Sequence, residues 1–171
     1  MISNLTLPQP LPLPDQSLSL RRAVASDLTG LMTLLADDPI SAGRGDRADE
    51  SDEAAYRAAL LDIIEDPSND LVVVTDPDGS HIVGTMQLTR IPCLARRGTT
   101  RLMIEAVRVD STRRSAGIGT AMINWAIRTA APDVGAGLVQ LTSDDARTDA
   151  HRFYERLGFV GSHRGFKLQL V

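Results

Sequence analysis

The chain has 171 residues, 43% hydrophobic and 23% charged, which suits one globular domain with a full core and excludes a disordered or fibrous chain. Its 18 Lys and Arg against 22 Asp and Glu leave a net charge of −4, so a general nucleic-acid binder, which needs a basic surface, is excluded as well. One cysteine, Cys93, and no Cys/His group at zinc-ligand spacing point to a reducing, cytoplasmic setting and a site without metal.

Pro8, Pro10, Pro12 and Pro14 interrupt the apolar N-terminus, which argues against a signal peptide and for a flexible, extended Pro-rich arm over residues 1–16. No apolar run is long enough to span a membrane. Residues 17–171 read as one domain without internal repeats. Residues 17–22 alternate as a strand, and Ser26 then caps a helix with Leu28, Leu31, Met32 and Leu35 at helical spacing. Residues 37–50 lack periodicity and hold turn formers, so a mobile loop able to gate a substrate is expected. A second helix carries Tyr56, Ala59, Leu60, Ile63 and Ile64 on one stripe and ends near Pro67.

Residues 71–75 and 81–89 flank the turn Asp76-Pro77-Asp78-Gly79 and predict a β-hairpin. Residues 92–100 are polar and basic. Residues 102–109 form a nearly continuous apolar run, as in a central strand, broken by Glu105 and Arg108. Beyond Gly119, the residues Ala121, Met122, Trp125 and Ala126 make a long helix that should end before Pro132. A strand over 138–142 follows, then a helix with Ala150, Phe153, Tyr154 and Leu157 closed by Gly158. Phe166, Leu168 and Leu170 alternate as a last strand. The expected class is α/β, with a mixed, mostly antiparallel sheet flanked by helices in the order β-α-α-β-β-β-α-β-α-β-β.

The segment Arg114-Ser115-Ala116-Gly117-Ile118-Gly119-Thr120 joins the central strand to the long helix. At such a junction unpaired amides point outward and bind anions. Gly117 and Gly119 let the backbone approach a pyrophosphate, and Thr120 adds a hydroxyl, so a phosphate-bearing cofactor is expected; two glycines alone also suit a plain tight turn. No Gly-Lys-Ser/Thr ending marks a nucleoside-triphosphate loop, and Met122 stands where a dinucleotide fingerprint has its third glycine.

These residues resemble the GNAT superfamily of N-acetyltransferases. Its hallmark, (Arg or Gln)-x-x-Gly-x-(Gly or Ala), is matched by Arg114, Gly117 and Gly119. The likeness extends to the strand Ile104-Glu105-Ala106-Val107-Arg108-Val109-Asp110 before the loop. It also takes in Phe153-Tyr154-Glu155-Arg156-Leu157-Gly158-Phe159, which is similar to the family's Tyr-x-x-x-Gly-Phe ending. The resemblance covers residues 17–171 and is strongest over 105–159. It implies acetyl-CoA as co-substrate in a V-shaped cleft between the central strand and the strand at 138. The pantetheine arm would pair with main-chain groups of Val107, Arg108 and Val109, and residues 114–120 would hold the pyrophosphate. One departure is Arg147, where the family often has a cofactor-binding Asn.

Acetyl transfer to an amine needs a neutral amine, an oxyanion donor and a proton for the departing thiolate. Tyr154, at the family's sulfur end, is the expected general acid, since a phenol keeps its proton at neutral pH; the alternative is a ring that only packs with Phe153 and Leu157. Glu105 is a candidate base if burial raises its proton affinity, or else a solvated or salt-bridged strand residue, with Arg108 or Arg101 as the partner in the second case. A backbone N–H near Val107 would serve the oxyanion. Asp144, Asp145, Asp149 and His151 read as solvated caps, Trp125 as core, His81 and His163 as isolated, and Arg96, Arg97 and Arg101 as a solvated face. The expected function is acetyl transfer to a primary amine of a small molecule, without nucleic acid or membrane, in a homodimer by resemblance. The alternative is a CoA-binding regulatory module without turnover.

Overall fold

The computed structural model describes residues 2–14 and 16–170, packed as two compact units, Met1–Gln140 and Leu141–Val171. In the first unit the chain opens with a 3-10 turn, Ile2–Asn4, and a hairpin of β1 (Gln9–Leu13) and β2 (Gln16–Arg22). Helices α1 (Leu28–Ala36), α2 (Pro39–Ala42) and α3 (Glu53–Glu65) follow, then strands β3 (Asn69–Thr75) and β4 (Ile82–Ile91). A short turn α4 (Ala95–Gly98) leads to β5 (Arg101–Val109), helices α5 (Ile118–Trp125) and α6 (Ala131–Asp133), and β6 (Leu138–Leu141) at the unit boundary.

The six strands lie in sequence order, and each pair from β1–β2 to β4–β5 is antiparallel. Val72, Val73 and Val74 of β3 are all fully buried, as a strand covered on both faces must be. Leu28, Leu31 and Met32 of α1 meet Leu60 of α3 over Val73. Elsewhere α5 buries Ile118, Met122, Ile123 and Trp125, the last as expected of a core residue. That helix comes so close to the sheet that a side chain at Gly84 of β4 would start 3.1 Å from Met122 Sδ and 3.3 Å from the Arg108 carbonyl. The expected class, α/β with a mostly antiparallel sheet flanked by helices, is the one that forms.

Several local expectations are corrected. The segment read as a flexible arm is extended but packed: Leu11 pairs with Leu18, and Ile2, Leu5 and Leu11 are buried. The spacing of Pro8, Pro10 and Pro12 explains why the ladder survives. A period of two leaves every proline nitrogen on the side facing away from β2, where an edge strand needs no donor. Arg22 ties the preceding turn down by donating to the carbonyl of Leu5 at 3.0 Å and to Asp70 Oδ2 at 2.8 Å.

Ser26 does not cap α1. A 3-10 turn, Ala25–Asp27, precedes the helix, and Asp27 reaches back to accept from Val24 N at 2.8 Å. Asp27 also takes two bonds from Arg21, at 2.7 and 2.8 Å. Burial works against its charge, but the Arg21 hydrogen bond, the Val24 amide and the Arg21 charge outweigh it and hold the carboxyl below its ordinary range.

Pro132 does not end the long helix. The chain passes from α5 through a π-helical stretch, Ala126–Ala130, before α6, and this wider turn rearranges the carbonyls that a proline would otherwise clash with and leave unpaired.

In the second unit, α7 (Thr148–Arg156) ends in a Schellman turn. Phe159 N donates to the Tyr154 carbonyl at 3.1 Å and Gly158 N to that of Glu155 at 3.0 Å, with Gly158 left-handed. The strand expected from Phe166, Leu168 and Leu170 does not form among the described residues; all three side chains are more than 80% exposed. Alternation alone makes a strand only where a neighbour supplies the ladder.

Candidate active site

β4 and β5 fall out of step at one point. Gln87 faces Glu105 and Thr85 faces Arg108, so Met86 alone opposes both Ala106 and Val107. This is a β-bulge, and Ala106 takes a left-handed φ of 50° to make it. The bulge removes the backbone around Val107 from the β4 ladder, at the place where a main-chain oxyanion donor was expected. The Val107 carbonyl accepts from Arg108 Nη1 at 2.8 Å.

Beyond Val109 the chain turns sharply into α5. Asp110 accepts from the amide and hydroxyl of Thr112, at 2.8 and 2.6 Å, which fixes the 3-10 turn Ser111–Arg113. These bonds hold the Asp110 carboxyl below its ordinary range. Ser115 and Gly117 are left-handed, at φ 64° and 82°, and the first helical bond runs from Ala121 N to the Gly117 carbonyl at 2.9 Å. The amides of Ile118, Gly119 and Thr120 thus belong to the first turn, where a helix has no acceptors of its own. They follow directly on Arg114, Ser115, Ala116 and Gly117. A Cβ on Gly117 would be strained by its φ and would lie 3.3 Å from Leu13 Cδ2. The residues fit a pyrophosphate: first-turn amides without helical acceptors, a glycine at the turn, and an arginine beside it.

Glu105 is exposed on β5, so the burial expected of a tuned base is not found. That exposure fits the alternative of a solvated strand residue; Arg101 donates to Gln140 Oε1 at 3.0 Å, and Arg108 donates to the Ser41 hydroxyl and the Val107 carbonyl. In the second unit, the ring of Tyr154 meets Phe153 and Phe159 edge-on, with centroids 5.0 and 5.8 Å apart. Asp144 accepts from Ala146 N, and its carbonyl lies 2.9 Å from His151 Nε2, consistent with a cap ahead of α7. Asp149 pairs with Arg152 at 2.8 Å. His81, expected to stand alone, lies 3.4 Å from Asp110.

The segment expected to be a mobile loop is built by polar side chains. Asp38 accepts from Ser41 N at 2.8 Å with Pro39 at the first helical position, which starts α2. Ser41 is buried and held by Arg108. Asp37 accepts from Ser111 N at 2.8 Å and from Arg114 at 3.5 Å. Further along, Tyr56 donates to Asp46 at 2.8 Å; burial first, then this bond, pushes the phenol above its ordinary pKa. Asp37 and Ser41 were missed as site residues. The Asp37-Asp38-Pro39 run is a helix-start signal in the sequence, but the partners of Asp37 and Ser41 lie in β5 and beyond it.

A family model described as the acetyltransferase (GNAT) family matches residues 29–159. No curated protein sequence matches the chain. A transcriptional regulator from Bacillus halodurans is 39% identical in sequence, with a TM-score of 0.83 over 90% of this chain and 99% of its own. An acetyltransferase from Trypanosoma brucei is 29% identical, with a TM-score of 0.70 over 90% of this chain and 100% of its own. Glucosamine-6-phosphate N-acetyltransferase from Arabidopsis thaliana shares the fold at 18% identity, with a TM-score of 0.67 over 91% and 99% of the two chains.

Proposed function

The chain belongs to the acetyltransferase (GNAT) family, and from that premise we propose that it moves the acetyl group of acetyl-CoA to a primary amine of a small molecule. The observation that carries this reading is the junction of a bulged β5 with a glycine-started helix: Val107, out of step with the β4 ladder, stands a few residues before the glycine turn on the same connection. Arg114 and the amides of Ile118, Gly119 and Thr120 hold the pyrophosphate, and main-chain groups of Val107, Arg108 and Val109 align the pantetheine arm. Bound acetyl-CoA supplies an acetyl thioester. The amide near Val107 steadies negative charge on the acyl oxygen, Glu105 takes a proton from the acceptor amine through solvent, and the Tyr154 hydroxyl gives one to the thiolate.

The acceptor is cationic before it reacts. Between Asp37 and Glu53 the sequence holds seven carboxylates and two arginines, a balance that draws in a positively charged amine. A cytoplasmic homodimer without metal is part of the same reading. A second reading, a CoA-binding regulatory module, draws on the name of the Bacillus halodurans relative, a transcriptional regulator.

Release of free CoA thiol from acetyl-CoA across a panel of small amines tests the proposal. Release that depends on the amine supports the enzyme and identifies the acceptor class. Acetyl-CoA binding with no release from any amine supports the regulatory module instead.

A further inference from the structure

We infer that Asp37 sets how tightly the cradle takes a pyrophosphate, by acting as an internal anion that the ligand displaces from Arg114. The inference rests on the cofactor reading above. Asp37 caps the C-terminal end of α1, where the helix dipole disfavours a carboxylate, so α1 itself does not account for it. Its partners lie far along the chain. Oδ2 accepts from Ser111 N at 2.8 Å and from Arg114 Nη2 at 3.5 Å. A backbone amide and a guanidinium on one oxygen are the donors that phosphate oxygens take.

Arg114 is held from a second side as well, with Nε donating to the Val109 carbonyl at 3.3 Å. The arginine beside the cradle is thus folded back onto the end of β5 and paired with Asp37. Both side chains are partly exposed, Arg114 at 47% and Asp37 at 32%, so parting them disturbs no core packing. An arriving pyrophosphate competes with the carboxylate for Arg114 and is repelled by it. As Arg114 turns to the ligand, the Val109 carbonyl is released as an acceptor for a pantetheine amide. Ser41, bonded to Arg108, keeps α2 anchored while the single ion pair exchanges.

The test is calorimetric titration of CoA into the wild type, Asp37→Asn, Arg114→Gln and the double variant, with a thermal melt of each. Asparagine keeps an oxygen for the Ser111 amide, so the variant removes the charge alone. Asp37→Asn is expected to bind CoA about three- to tenfold more tightly, with the gain shrinking as salt rises. Arg114→Gln is expected to bind more weakly, and most of the Asp37→Asn gain to vanish in its background. A purely structural role gives the opposite sign, weaker binding with a lower melting temperature. That outcome, an unchanged affinity, or a gain undiminished without Arg114 overturns the inference. If neither the wild type nor any variant binds CoA, the cofactor reading itself falls, and this inference with it.

Discussion

Two segments meet at the end of β5, and they are held by different means. The stretch from Ala106 to Thr120 is shaped mainly by backbone: a bulge at Ala106 and Val107, left-handed Ser115 and Gly117, and first-turn amides, with the Asp110 side chain bracing the turn between them. The segment from Asp37 to Tyr56 is shaped by side chains: Asp38 on the Ser41 amide, Ser41 on Arg108, and Tyr56 on Asp46. Backbone geometry suits the proposed cofactor, because main-chain groups offer donors to phosphate without reading side chains. Side-chain geometry can change by single substitutions, which suits the acceptor.

The largest effect should come from filling the cradle. Gly117→Val meets both an unfavourable φ and Leu13, and should lower CoA affinity about 100-fold or more, read by calorimetry, with the fold retained by circular dichroism. Tyr154→Phe should lower kcat about 10- to 100-fold while leaving CoA affinity unchanged; a drop in affinity with kcat intact would assign the hydroxyl to binding instead. Asp27 probes the scaffold that both segments share, and its effect is on stability. Because its folded pKa lies below the unfolded value, its contribution is full above about pH 4 and fades as pH falls through the folded value. Asp27→Asn should therefore cost about 1–2 kcal/mol in denaturant melts at pH 7, and the gap to wild type should narrow by pH 3. The smallest effect is expected on the acceptor side, where Tyr56→Phe should raise the acceptor KM about two- to threefold with no change in the acetyl-CoA KM. An equal change in both would mean that the two segments are not separable.

The same division explains what could be read from the sequence. Gly117 marked the turn into α5 in the sequence, because its left-handed φ restricts residue type. The hairpin around Asp76 and Gly79 was legible for the same reason, and Gly79 N does donate to the Asp76 carbonyl at 2.9 Å. Asp37 and Ser41 were not legible as site residues, since their meaning lies in Ser111, Arg114 and Arg108, far along the chain. Pro10 and Pro12 misled because composition suggested an unpacked arm, whereas their spacing fits an edge strand. Leu168 and Leu170 misled in the other direction, since alternation says nothing about whether a neighbouring strand exists.

The central claim is that the first-turn amides of α5 hold a pyrophosphate, and backbone NMR of the protein titrated with CoA tests it most directly. Large amide shifts and slowed hydrogen exchange are expected at Ile118, Gly119 and Thr120, with smaller changes at Val107 and Val109. Saturable CoA binding that leaves those three amides unmoved would contradict it.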